Sequence, residues 1–275
     1  MAVPTDLPAP LDDHRARACR LNHVEFCREL GRWSGAGGAV VERDGLMLWA
    51  TASDFPVSLN GVVRLDPTTP AALVIDTADE WFGARSTGYT VNVVEGADDD
   101  LRAAAEAVGL LVMRDSPQMV CDAPVPVPPS TEGVELAWVT TPSQVGAFAG
   151  LVDTAYQSLG APAGAIRPSI VALDRVLEPQ IETVLALLDD EPVACAQLLL
   201  SHGMGGVYYV GTLEAARGRG LGELVTAAVT NRGFERGAAF VGLQASPMGE
   251  AIYRRMGYRD LYRQAGLVRF EAPTT

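Results

Sequence analysis

Two stretches of this chain run through the same order of elements, and that repetition narrows the folds open to it. Gly61-Val-Val-Arg-Leu65 resembles Gly206-Val-Tyr-Tyr-Val210, and each precedes an apolar, helix-like stretch ending near a phenylalanine, Phe82 or Phe234. A strand-like run follows in both, Tyr89 to Val94 and Ala239 to Leu243. Leu101 to Leu110 then parallels Ala251 to Tyr258, and Met113 to Val120 parallels Leu261 to Val268. Such self-similarity reads as one α/β unit duplicated, with one copy worn down; chance likeness between two α/β halves is the competing explanation. Between the copies lies Asp122-Ala-Pro-Val-Pro-Val-Pro-Pro-Ser-Thr-Glu132. Alternating proline neither continues a helix nor donates to a central ladder, so an extended, semi-rigid connector is expected. The chain divides into residues 1–121, a Pro-rich linker at 122–132 and residues 133–275.

The second half alternates strand and helix signals. Val134 to Val139 reads as a strand, and Pro142 to Tyr156 carries an amphipathic helical pattern. Ile181 to Leu188 and Val193 to Leu200 flank Asp189-Asp190-Glu191-Pro192, a hairpin signature. Val207 to Thr212 is a further strand. Leu224, Val225, Ala228 and Val229 fall at helical spacing, with Gly237 as a stop. Ser246-Pro247 reads as a helix start, with a capping hydroxyl and proline at the first position, for a helix ending at Gly257. Arg259 to Phe270 supplies one or two closing strands.

Composition removes several chemistries. The 275 residues suffice for one large domain or two of ordinary size. No lysine occurs anywhere, which excludes a Walker-type phosphate loop and a pyridoxal Schiff base. Cys19, Cys27, Cys121 and Cys195, like His14, His23 and His202, lack ligand spacing, so no metal is expected. A net charge of -13 argues against nucleic acid as a partner and mildly favours a cationic one. No apolar run approaches a bilayer span, and Met1 to Arg20 does not read as a secretory signal. A cytoplasmic protein without membrane partners is expected.

The segment with chemical content is Arg217-Gly218-Arg219-Gly220-Leu221-Gly222, between a strand and a helix. Glycine lets the backbone turn tightly and approach a ligand, while the first helical N–H groups point outward without partners. Those donors and the positive helix end make an anion cradle, to which Arg217 and Arg219 add charge-assisted contacts. A Rossmann fingerprint does not fit, because these glycines recur every second residue and position 223 is glutamate. A pyrophosphate site of another kind remains.

Val207 to Gly257 resembles the GNAT superfamily of N-acetyltransferases. The family's Gln/Arg-x-x-Gly-x-Gly/Ala fingerprint is matched by Arg217, Gly220 and Gly222, and Tyr253-Arg-Arg-Met-Gly-Tyr258 matches its tyrosine shortly before Gly-Tyr. The resemblance implies an α/β (α+β) fold: tandem GNAT-like domains, each a mixed, mostly antiparallel twisted sheet flanked by helices. It implies acetyl-CoA as co-substrate, held by the 217–222 loop. It also implies a bulged strand that splays from its neighbour, placing Gly211, Thr212 and Leu213 beside the thioester and offering a backbone N–H to the oxyanion. Tyr253 matches the tyrosine that protonates the departing thiolate; a reference phenol pKa of about 10 suits a thiol leaving group. Ser246 stands where many members carry asparagine; it keeps a hydroxyl and is assigned with the loop to the cofactor site.

The general base is open among Glu250, Glu214, Tyr208, Tyr209 and water, with Glu250 also placed to pair with Arg254. In the first half, Pro67-Thr-Thr-Pro-Ala-Ala-Leu73 stands where the glycine loop would fall, and Leu101 to Gly109 carries no tyrosine. That half is expected to be silent, walling the acceptor pocket or mediating assembly, with a homodimer as the expected form. The expected reaction is acetyl transfer to a primary amine of a small molecule or peptide. A noncatalytic acyl-CoA sensor or interaction protein is the alternative.

Overall fold

The computed structural model describes residues 13–129 and 132–271. Residues 1–12, most of the stretch weighed as a signal, and Ser130 and Thr131 of the connector lie outside the described residues. Helix α1 (His14–Trp33) opens the chain, its first turn capped by Asp13, which accepts from the Arg15 N–H at 2.7 Å. Strands β1 (Ala39–Arg43), β2 (Leu46–Ala50) and β3 (Gly61–Arg64) follow. Then come α2 (Ala71–Gly83), β4 (Tyr89–Val94), α3 (Asp99–Ala107) and β5 (Leu111–Cys121). The second half holds β6 (Val134–Trp138), α4 (Pro142–Ala155), α5 (Leu173–Val176), β7 (Ile181–Leu188), β8 (Glu191–Ser201) and β9 (Met204–Thr212). It closes with α6 (Leu221–Glu235), β10 (Val241–Gln244), α7 (Glu250–Arg255) and β11 (Arg259–Arg269).

Among the described residues, eleven strands join one sheet in the order β1-β2-β3-β4-β11-β5-β10-β9-β8-β7-β6. Neighbours are antiparallel except at two places, β3 with β4 and β9 with β10. The last strand of each half crosses into the other: β11 pairs with β4, and β5 pairs with β10. β5 and β11 also pair with each other, which welds the two sheets into one. The connector is pinned where Asn231 and Val125 exchange two hydrogen bonds, at 2.8 and 3.0 Å.

The repeat read from the sequence is the repeat of the fold, in the same register. Leu48, Val62 and Val91 pack with Val74 and Ile75 of α2; Leu198, Val207 and Leu243 pack with Leu224 and Val225 of α6. Side chains alternate faces along a strand, so this shared facing makes Val62 the counterpart of Val207 and Val91 that of Leu243. On the opposite face one core serves both halves, where Phe26, Leu30 and Trp33 of α1 meet Phe148 and Val152 of α4.

Local expectations mostly hold. The β7–β8 hairpin turns at Asp189 and Asp190, both at positive φ (52° and 66°), which aspartate tolerates better than most residues. Helix α6 stops before Gly237 at φ 86° and α7 before Gly257 at φ 100°. Arg259 to Arg269 is a single strand with two register shifts. One expectation fails. Ser246-Pro247 does not open a helix; it forms a separate turn, in which Ser246 accepts from the Gly249 N–H at 2.9 Å, and α7 begins at Glu250.

Candidate active site

The site grows out of the parallel pair β9–β10. Val207 pairs with Leu243, and there the ladder stops, so Tyr208 and Gln244 part. On the other edge of β9 the register with β8 slips, Gln197 opposing Tyr208 while Cys195 opposes Gly211. Tyr209, at φ 49°, and Val210 form this bulge. The Tyr209 carbonyl, withdrawn from the ladder, accepts from the Cys195 thiol at 3.2 Å. A bulge increases local twist, and here it turns β9 away from β10 and opens a gap between them.

Gly211 and Thr212 rejoin the β8 ladder, and the Leu213 N–H donates to Val193 O at 2.9 Å. One short turn later the chain enters the 217–222 loop. Gly218 and Gly220 have φ of 77° and 75°, a region that favours glycine. Gly220 is the N-cap of α6 and no side chain caps the helix, so its first N–H groups face outward. Arg217 is held by Ser158 Oγ at 2.7 Å and Thr212 O at 3.3 Å. Arg219 and Gly222 flank the same turn.

A cavity of about 380 Å³ lies beside the gap. β9 contributes Val207 to Val210, the end of β10 contributes Gln244, and the turn before α7 contributes Ser246. Tyr253 reaches its wall from α7 and is 7% exposed. The first half supplies Phe26 of α1, Phe55, Val57, Ser58 and Leu59 between β2 and β3, and Arg114 of β5, while the segment after α4 adds Tyr156 and Ile166. Of the residues singled out from the sequence, Tyr208, Tyr209, Ser246 and Tyr253 therefore meet at the cavity. Gly211 to Leu213 and the 217–222 loop lie along the strand and turn that lead away from it. Tyr258, the other tyrosine of the motif, is structural: its hydroxyl bonds Thr230 of α6 at 2.7 Å.

Comparison with known proteins agrees with this geometry. The profile of the acetyltransferase (GNAT) family matches residues 152–258. That segment is a GNAT-family domain. Among solved structures, a GCN5-related N-acetyltransferase from Kribbella flavida is 25% identical, with 93% of this chain and 95% of that chain covered and a TM-score of 0.67. One from Sphaerobacter thermophilus is 17% identical over 100% and 98% of the two chains, TM-score 0.63. A tandem GNAT protein from the clavulanic acid biosynthesis pathway is 16% identical over 93% and 96%, TM-score 0.58. These cover nearly the whole chain, so the first half shares the tandem GNAT fold. No curated protein matches.

Within the GNAT domain, burial pushes the Tyr253 phenol up to about 12, with the nearby Thr226 hydroxyl acting in the opposite sense. The hydroxyl therefore stays protonated at neutral pH. A protonated phenol can donate a hydrogen bond into the cavity. The base candidates fare less well. Glu250 is bonded by Arg254 at 2.7 Å, and Glu214 is exposed on the turn after β9. Tyr208 donates to Asn22 Oδ1 at 2.8 Å, and burial raises both the Tyr208 and Tyr209 phenols. Among the described residues, the one carboxylate at the cavity is Asp115, already paired with Arg263 at 2.8 Å.

The GNAT copy in the first half is closed at the matching place. Val63 and Asn92, counterparts of Tyr208 and Gln244, still pair. No bulge follows, since Arg64 stays in register with Leu46. The Arg64 guanidinium instead bridges to the segment after β4, bonding Asp98 Oδ1 at 2.9 Å and Asp100 Oδ1 at 2.7 Å. Asp98 also holds Arg20 at 2.6 Å. Arg20, Arg64 and Asp98 are all buried, so the gap is filled with a neutralised ion cluster. At α2 the N-cap is Pro70, which offers no N–H.

Arg114, Gln244 and Asn92 belong to the site region without any sequence signal to mark them. They come from three strands, and only the interleaved sheet brings them together.

Proposed function

We propose that this chain is an acetyl-CoA-dependent N-acetyltransferase with one active site, acting on a primary amine of a small molecule or peptide. The parting of β9 from β10 beyond Val207 and Leu243, directly beside a cavity that holds Tyr253, supports this reading most strongly. Acetyl-CoA would lay its pyrophosphate on the uncapped start of α6 and run its arm along β9 toward the bulge. The amine attacks the thioester carbon, a C–N bond forms, the C–S bond breaks, and its electron pair leaves on sulfur. The amine's extra proton goes to water, and the thiolate leaves hydrogen-bonded by Tyr253. N–H groups freed from the ladder around Tyr209 and Val210 would face the transient oxyanion.

The experiment is a screen of amines on the full chain with release of free thiol as readout, alongside titration of acetyl-CoA. Binding with amine-dependent thiol release supports the enzyme. Binding without turnover for any amine turns the reading to an acyl-CoA sensor, and no binding overturns both.

A further inference from the structure

Among the described residues, Arg114 has no anionic partner. Its side chain runs beside Gly266 of β11 and lines the cavity wall. Its hydrogen bonds go to two neutral amide oxygens, Gln244 Oε1 at 2.5 Å and Asn92 Oδ1 at 3.0 Å. These use one N–H from each Nη and leave one on each, while the buried Nε–H has no partner. The next carboxylate along β5, Asp115, is taken by Arg263 and Arg102.

The other groups around it do not neutralise it. Tyr156, Tyr208 and the Cys27 thiol are held neutral by burial, as is His23, whose pKa falls to about 3. Burial opposes the charge on Arg114 itself. A desolvated guanidinium beside an empty space and without a counterion is costly to the folded protein, and a bound anion would offset that cost.

We propose that the acceptor carries a carboxylate, and that Arg114 binds it. This rests on the acetyltransferase reading above. The planar fork of arginine matches a carboxylate in geometry as well as charge. Gln244 fixes the fork at the residue where β10 leaves β9, so the bound carboxylate would sit within a small molecule's length of the gap.

The test uses the full chain saturated with CoA, with a length series of dicarboxylates from malonate to adipate and their diamides as probes in calorimetry. Amino acids and their matched amides serve in parallel as acceptors. The expected result is binding of at least one acid with none of its diamide, and a preference of about tenfold or more for acids as acceptors. Arg114→Gln should abolish both while retaining CoA affinity and a cooperative melt, and Arg114→Lys should restore part. Equal use of acids and amides, silence toward every acid, or an unchanged preference in Arg114→Gln would overturn the proposal. Loss of CoA binding in the wild-type chain would instead overturn the acetyltransferase reading.

Discussion

Asn92 and Gln244 are counterparts in the two halves, and one guanidinium, that of Arg114, bonds them both, at 3.0 and 2.5 Å. An arm of the first half thus sets the position of a group at the mouth of the second half's gap. Asn92→Ala removes one of the two anchors and leaves a half-buried charge less well satisfied. A loss of about 1–3 kcal/mol is expected in urea unfolding. The acetyl-CoA affinity should not change, because Asn92 lies remote from the 217–222 loop. An unaltered unfolding midpoint would remove Asn92 from this role.

The buried cluster in the first half gives a larger effect. Asp98 pairs with both Arg20 and Arg64, so Asp98→Ala leaves two desolvated guanidinium groups with only exposed Asp100 beside them. Destabilisation of about 3–5 kcal/mol is expected from denaturant curves. The same filled gap predicts a single acetyl-CoA site per chain in calorimetry. Two equivalent sites would contradict it.

Two glycines of the loop should separate stability from binding. Gly220 has φ 75° with open space where a Cβ would go, so Gly220→Ala costs about 1–2 kcal/mol through backbone conformation alone. Gly222 is inside α6, and an added Cβ would meet Thr212 Oγ1 at an ordinary 3.5 Å. Gly222→Ala is therefore expected to be neutral or to stabilise by up to about 1 kcal/mol. Both should weaken acetyl-CoA binding, since a methyl in either place holds a phosphate off the backbone. Paired melting and titration curves decide whether the two effects part.

Tyr253→Phe should lower kcat by about a hundredfold and leave acetyl-CoA affinity nearly intact. The working form of Tyr253 is protonated, and its pKa is about 12. Wild-type rate profiles should therefore show no alkaline fall from this group until pH approaches about 12. The unfolded chain ionises the same phenol near the ordinary value of 10.0, so the contribution to stability is complete below 10.0 and is lost as pH rises toward about 12. A rate that falls with an apparent pKa near that of a free phenol would count against Tyr253 as the donor.

His23 predicts an acid limb in stability. Its pKa is lowered from 6.5 to about 3, chiefly by burial and then by Arg114. Between these values the unfolded chain takes up a proton that the folded chain refuses, so stability falls as pH drops from 6.5 toward about 3. His23→Asn should flatten that part of a plot of unfolding free energy against pH. An unchanged slope would assign the acid sensitivity elsewhere.

Features that depend on nearby residues were the legible ones. Gly220, Gly237 and Gly257 mark positive φ at helix ends, and their meaning needs no knowledge of the rest of the chain. The duplicated element order survives because each copy must keep its own apolar periodicity. Ser246-Pro247 misled for a local reason as well, since a capping serine before proline fits an isolated turn as well as a helix start. Gln244 and Arg114 stand 130 residues apart, and no spacing rule joins them. The Tyr253 pKa was equally hidden, because it is set by burial among elements whose packing the motif does not encode.

The exchange of β5 and β11 governs how this protein can be made and cut. On the ribosome, β4 would wait with a bare edge until residues 259–269 emerge, so the first half cannot mature ahead of the second. A protease that nicked the proline connector would leave two fragments still clasped by each other's strand. Neither half owns its own last strand, and a gene that encoded only one would encode an unfinished sheet.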